Sequence, residues 1–263
     1  MEPTAQSVAR TYSDRVYTDP WEKVLDYRQV KEYRAKHPNA GRTRIGKALE
    51  LPPGRVRAWI NDGMPDSVHG IQTALDYGWI DPDPTSDTAQ ALIELLAHVL
   101  AGGSINANFS PRLTGGNRVG LEELQRAFTS VGVDSTIQHE DVEGRATEVV
   151  AADDGSVLGR CLVAMGAVHG SKTDLKTFPG VVEDVPVDVR ASFARIYARH
   201  RAVSYEQKDT TRITEDRPER YRNDLRDLFV DVTGKQVTVD DSGLTLSAAA
   251  SRSLGIGRIE IDP

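Results

Sequence analysis

The stretch Leu95-Leu96-Ala97-His98-Val99-Leu100-Ala101-Gly102-Gly103-Ser104-Ile105 decides the fold. Its first seven residues continue an apolar run from Ala91 that reads as a helix, broken in polarity only by Glu94 and His98. The paired glycines end that helix, since glycine continues a helix poorly and tolerates a sharp change of direction. Beyond them Ser104, Asn106, Asn108, Ser110 and Arg112 alternate with Ile105, Ala107, Phe109 and Leu113. That period of two is the mark of a strand with one buried and one polar face. The helix also carries Ala97 and Ala101 four residues apart, a spacing that recurs at Ala194, Ala198 and Ala202. Small residues so spaced form a stripe along which two helices can approach closely. Alanine is equally a good helix former, and spacing alone does not separate the two readings.

Outward from this stretch, Gly115-Gly116-Asn117 reads as a turn with a short partner strand around Arg118, followed by a helix over Leu121 to Val131. Ser135 to His139 and Arg145 to Ala151 read as a hairpin across Glu143-Gly144, and Val157 to Met165 as another helix. A weaker copy follows: a helix from Val189 to about Arg201, strands within Val203 to Thr214, a helix from Pro218 to Asp231, strands within Gln236 to Thr245 and a short last helix. The unit αββαββα therefore occurs twice, which predicts an α+β domain with internal pseudo-twofold symmetry and a chain that is a monomer.

The first stretch resembles the signature helix of the LAGLIDADG homing endonucleases. Leu162-Val163-Ala164-Met165-Gly166-Ala167-Val168-His169-Gly170-Ser171-Lys172-Thr173, followed by Pro179, is similar to the family's pattern between its repeats. The second signature would be Phe193 to Val203, and the resemblance covers roughly Thr88 to Leu254. In active members each signature helix ends in an acidic residue, and the two carboxylates hold divalent metal for phosphodiester hydrolysis, because hard cations require oxygen ligands. The first such position here is Gly102, and the second is Arg199, or Arg201 if the alignment slips by two. Neither glycine nor arginine ligates magnesium, and a guanidinium attracts phosphate instead. Lys172 matches a family lysine near the cleavage pocket. The resemblance thus implies a kept fold, no catalytic residues and no metal or other cofactor. It also implies strands lying in the major groove of double-stranded DNA, read by Ser104, Asn106, Asn108, Ser110 and Arg112 in the first repeat and Lys208, Thr210 and Arg212 in the second.

The residues before Thr88 read differently. Residues 1–20 are polar, aperiodic and end in Pro20, so they read as a flexible tail. Residues 21–80 carry three short helices, from Trp21, from Arg42 to Leu49 and from Pro53 to about Asn61, and a fourth from Asp66 to Asp76. Three helices with a tight Leu51-Pro52-Pro53-Gly54 turn before the third fit a helix-turn-helix. Arg55, Arg57 and Asn61 would then meet DNA, Arg42, Arg44 and Lys47 would touch its backbone, and Val56, Trp59 and Ile60 would form the core. The Pro- and Asp-rich residues 81–87 read as a linker, with repeats over 88–187 and 188–263. Regulators of bacterial sporulation combine the same two module types, with the helix-turn-helix at the other end.

Charge sharpens this division. The net charge of the 263 residues is −7. Between Trp21 and Ile60, however, ten basic and four acidic side chains give +6, leaving −13 elsewhere. With 8 Lys against 24 Arg and frequent Asp, the composition resembles that of halophilic, haloarchaeal-type DNA-binding proteins. The single Cys161 excludes an intrachain disulfide, and the six histidines show no ligand spacing. Glu2, Arg10 and Asp14 break any signal-peptide pattern and no apolar run is long enough to span a bilayer, so a soluble, cytoplasmic protein without a membrane partner is expected. Together these features predict a non-catalytic, sequence-specific DNA-binding protein acting in transcription. The alternatives are an active homing endonuclease using displaced carboxylates such as Asp87 or Glu94, or an RNA-binding, splicing-assisting protein.

Overall fold

Ser86 opens the central helix, its hydroxyl accepting from the backbone N–H of Ala89, and Asp87 in the first turn complements the helix dipole. In the computed structural model, which describes residues 1–171, 175–205 and 208–257, eleven of that helix's sixteen residues are buried. Such all-round burial belongs to a helix at the middle of a domain.

Ahead of it run α1 (Ala5–Ala9), α2 (Pro20–Lys36), α3 (Arg42–Leu49), α4 (Pro53–Ile60) and α5 (Asp66–Asp76), and the central helix is α6 (Asp87–Gly102). The first repeat continues with β1 (Gly103–Ile105), β2 (Pro111–Thr114), α7 (Leu121–Ser130), β3 (Ser135–Gln138), β4 (Glu148–Ala151) and α8 (Gly155–Ala164). The same order follows in α9 (Val187–Arg201), β5 (Ala202–Ser204), β6 (Thr211–Thr214), α10 (Glu219–Thr233), β7 (Val237–Asp240), β8 (Gly243–Leu246) and α11 (Ala248–Ser253). The fold is α+β, with two four-stranded antiparallel sheets ordered β1-β2-β4-β3 and β5-β6-β8-β7. Gly103 lies opposite Leu113 and Ala202 opposite Ile213, which makes the sheets equivalent residue by residue at that ladder. Helices α6 and α9 make the most extensive contact between any two elements. Ala97, Ala101, Ala194 and Ala198 are all buried along them, as close helix approach requires.

Three expectations change. The strand expected over 104–113 is a hairpin: Asn106 Oδ1 accepts from the backbone N–H groups of Asn108 and Ser110, each at 2.9 Å, and Phe109 takes a left-handed φ of 60°. This side-chain-closed turn mimics strand alternation in sequence because its polar residues fall at every second position. The partner of β1 is therefore β2, and near Arg118 there is only an isolated bridge between Gly116 and Val119. Residues 1–20, expected to be a tail, contain α1, whose Val8 and Ala9 are fully buried against α5 and α8. Two buried residues are too few to register as periodicity. The helical segment ahead of residues 81–87 is docked on the rest of the chain. Trp79 is fully buried and donates Nε1–H to the Val131 carbonyl at 2.9 Å, and the Asp81 N–H bonds the Pro3 carbonyl at 2.8 Å. One continuous core joins α1, Val24 of α2 and α5 to α6 through α11, while Tyr27, Val30, Ala40, Ile45, Val56 and Trp59 form a second, small core under α2 to α4. Among the described residues no helix is long and apolar enough to cross a membrane.

Candidate nucleic-acid interface

Helices α3 and α4 meet at a turn that only a glycine permits. A Cβ on Gly46 would sit 2.6 Å from the Leu51 carbonyl oxygen, and Glu50 closes α3 in the left-handed conformation at φ 55°. Beneath them Tyr27 and Trp59 pack edge to face at 5.8 Å, and Val56 is fully buried, as the sequence pattern expects for these positions. Arg42, Arg44 and Lys47 on α3, Arg57 on α4 and Asn61 at its end are exposed, and none has a side-chain partner among the described residues. Arg55 departs from its expected role. Its Nη1 donates to Tyr17 Oη at 2.8 Å and its guanidinium lies 4.6 Å from that ring centroid, so it pins the segment before α2 instead of facing outward. Tyr17 in turn donates to Asp26 at 2.5 Å; burial and that carboxylate hold its phenol above the usual tyrosine range.

The C-terminal ends of α6 and α9 hold the second group of candidate residues. By strand register, Gly102 and Arg201 each immediately precede the equivalent strands β1 and β5, so Arg201 and not Arg199 is the counterpart of Gly102. Arg199 turns the other way, bidentate on Glu123 with an Nη2–Oε2 distance of 2.8 Å and also donating to the Arg118 carbonyl. Arg201 Nε donates to the Ala101 carbonyl at 2.9 Å, and the buried Arg217 Nη2 to the Leu100 carbonyl at 2.8 Å. Two guanidiniums of the second repeat thus satisfy carbonyls that the end of α6 leaves open, where the helix dipole also favours positive charge. Next to them His98 Nδ1 lies 2.8 Å from His200 Nε2, and a Cβ on Gly102 would strike the His200 ring.

Sequence reasoning missed two features here. The histidines are 102 residues apart and meet only because α6 and α9 pack together. Arg217 and Glu215, each about 1 % exposed, form a 2.9 Å ion pair that Tyr197 joins through hydrogen bonds to both. Charged residues at such positions look like surface loop in sequence. Asp87 stands at the opposite end of α6, about 22 Å away at 1.5 Å per residue. Glu94 is occupied midway by Ser192 and Gln90. Among the described residues no three His, Cys, Asp or Glu side chains converge in a way that could hold a metal ion.

The expected reading face of the sheets is more self-contained than its sequence suggests. Asn106, Asn108 and Ser110 belong to the hairpin turn, and only Ser104 and Arg112 lie on the ladder, opposite one another. Arg112 pairs with Glu148 at 2.6 Å, and Arg212 pairs with Asp240 and bonds Thr245 at 3.0 Å. The Asp240 contact raises the Arg212 guanidinium further above its ordinary value and drives the Asp240 carboxyl well below its own. Lys208 is exposed, 5.6 Å from the Tyr205 ring centroid, and Thr210 is half-buried beside it. Lys172 lies outside the described residues. No known protein family matches the chain, and no curated protein matches it.

Proposed function

We propose that the protein is a non-catalytic, sequence-specific DNA-binding protein, a transcriptional regulator that pairs a helix-turn-helix with a degenerate two-repeat homing-endonuclease-like domain. The observation that carries this reading is the exposed cationic group of Arg42, Arg44, Lys47 and Arg57, without side-chain partners among the described residues, in a chain of net negative charge. Cations left without protein partners are available to phosphate, and Asn61 at the end of α4 offers an amide for a base edge. The paired helices α6 and α9, whose ends carry Gly102 and Arg201 where hydrolysis needs two carboxylates, support the loss of cleavage.

The test is binding to a randomised duplex library, with bound sequences read out, followed by titration of a selected duplex at several salt concentrations. Replacing Arg42, Arg44, Lys47 and Arg57 together by alanine is expected to weaken binding uniformly across sequences. It should also flatten the salt slope of log K by roughly 0.9 for each lost phosphate contact. Wild-type binding without sequence preference, or magnesium-dependent cleavage of the selected duplex, overturns the proposal.

A further inference from the structure

The tip of the β1–β2 hairpin presses on α8, where a Cβ on Gly159 would lie 1.6 Å from the Phe109 carbonyl oxygen. There the Arg160 guanidinium is held between two rings, 3.8 Å from the centroid of Tyr12 and 3.8 Å from that of Phe109. Its Nη1 donates to the Thr11 carbonyl at 2.5 Å, which fixes its plane. On the far side of Phe109 the His169 imidazole stacks at 4.0 Å with an interplanar angle of 1°. His169 Nε2 is 3.3 Å from the Ala107 carbonyl, and a parallel bridge to Ile105 anchors its backbone, so the ring is held in place.

Tyr12, Arg160, Phe109 and His169 thus form a continuous four-layer stack from the body of the molecule to its surface. Phe109 enters it in a left-handed conformation, φ 60°, which is costly for a bulky side chain and persists only where the surroundings enforce it. One face of the His169 ring is covered by Phe109, and the residue remains exposed to solvent. A rigid, open aromatic face binds whatever planar ring is free to lie on it, and every nucleobase has such a face.

We propose that the outer face of His169 is a stacking site for an unpaired nucleobase of bound DNA, at a bulge or a base turned out of the helix. This rests on the DNA-binding reading and adds a second mode of recognition to it, because a paired base inside a duplex cannot reach an imidazole face. The probe is a duplex carrying one unpaired 2-aminopurine, whose fluorescence falls on stacking, titrated beside the same duplex fully paired.

The wild type is expected to bind the bulged duplex more tightly and to quench it. His169→Ala should lose about ten-fold on the bulged duplex, the scale of one base on one ring, while keeping its affinity for the paired duplex. His169→Phe should retain both the preference and the quenching. Equal wild-type binding of the two duplexes, or quenching that survives in His169→Ala, overturns the stacking site and leaves the DNA-binding reading standing. Tighter binding of the same bulge made of RNA overturns the assignment to DNA, and binding of neither duplex overturns both readings.

Discussion

His98 is almost wholly buried between α6 and α9, and burial, with the neighbouring imidazole of His200 and the guanidinium of Arg199, pushes its pKa from 6.5 down to about 3. A base whose folded pKa is depressed binds fewer protons folded than unfolded in the interval between the two values. Its neutral burial is therefore without penalty above about pH 6.5, and stability is lost as pH falls from there toward 3. One proton limits the slope to about 1.4 kcal/mol per pH unit. Denaturant midpoints measured from pH 7 to pH 4 should fall more steeply for the wild type than for His98→Gln, and parallel curves contradict this. The buried neutral His98 and the buried ion pair of Glu215 and Arg217 were not legible in the sequence as interior residues. The contacts that bury them include ones far apart in the chain, 102 residues for His98 with His200 and 117 for the bond from Arg217 to Leu100. Val56 and Trp59 were legible, because helical spacing alone turns them to one face.

The β1–β2 hairpin shows how one element can be mispredicted for a physical reason. Asn106 supplies through its side chain the acceptor that a neighbouring strand would supply, and the local bond outcompetes ladder pairing. Most helices were read well because they extend over eight or more residues, whereas β1 and β2 offer three and four. Packing of the tip against α8 yields a prediction in which two opposed effects can be weighed. Gly159→Ala gains about 1 kcal/mol of helix propensity. It also places a methyl group 1.6 Å from a backbone carbonyl that no side-chain rotation can move aside. Overpacking of a core typically costs about 1–3 kcal/mol, and an obstruction by backbone falls at the upper end. The variant should therefore be net destabilised in chemical denaturation, with the Phe109–His169 stack disturbed; an unchanged or raised midpoint would show that the hairpin tip is not held against α8.

At the scale of the whole molecule the two cores have different depth. The main core runs without interruption from α1, Val24 of α2 and α5 through both repeats, whereas the core under α2, α3 and α4 has six buried residues with Tyr33, Leu49, Leu51, Ile60 and Val68 packed against them. A small core buries less apolar surface per residue ordered and opens at lower free energy than the body that carries it. The amides of α3 and α4 should accordingly exchange with solvent faster than those of α6 and α9 in native-state hydrogen exchange. Val56→Ala, which removes two methyl groups from a fully buried site, should lower the protection of α2 to α4 by about 1–3 kcal/mol while leaving α6 and α9 nearly unchanged. A uniform loss of protection would mean that the two cores unfold as one. The division also follows charge, since the segment of +6 sits on the shallow core and the acidic remainder on the deep one. Loosening the small core should therefore weaken the proposed DNA binding before the body of α6 to α11 loses its structure, and titrating Val56→Ala with the selected duplex at rising temperature places the two events in order.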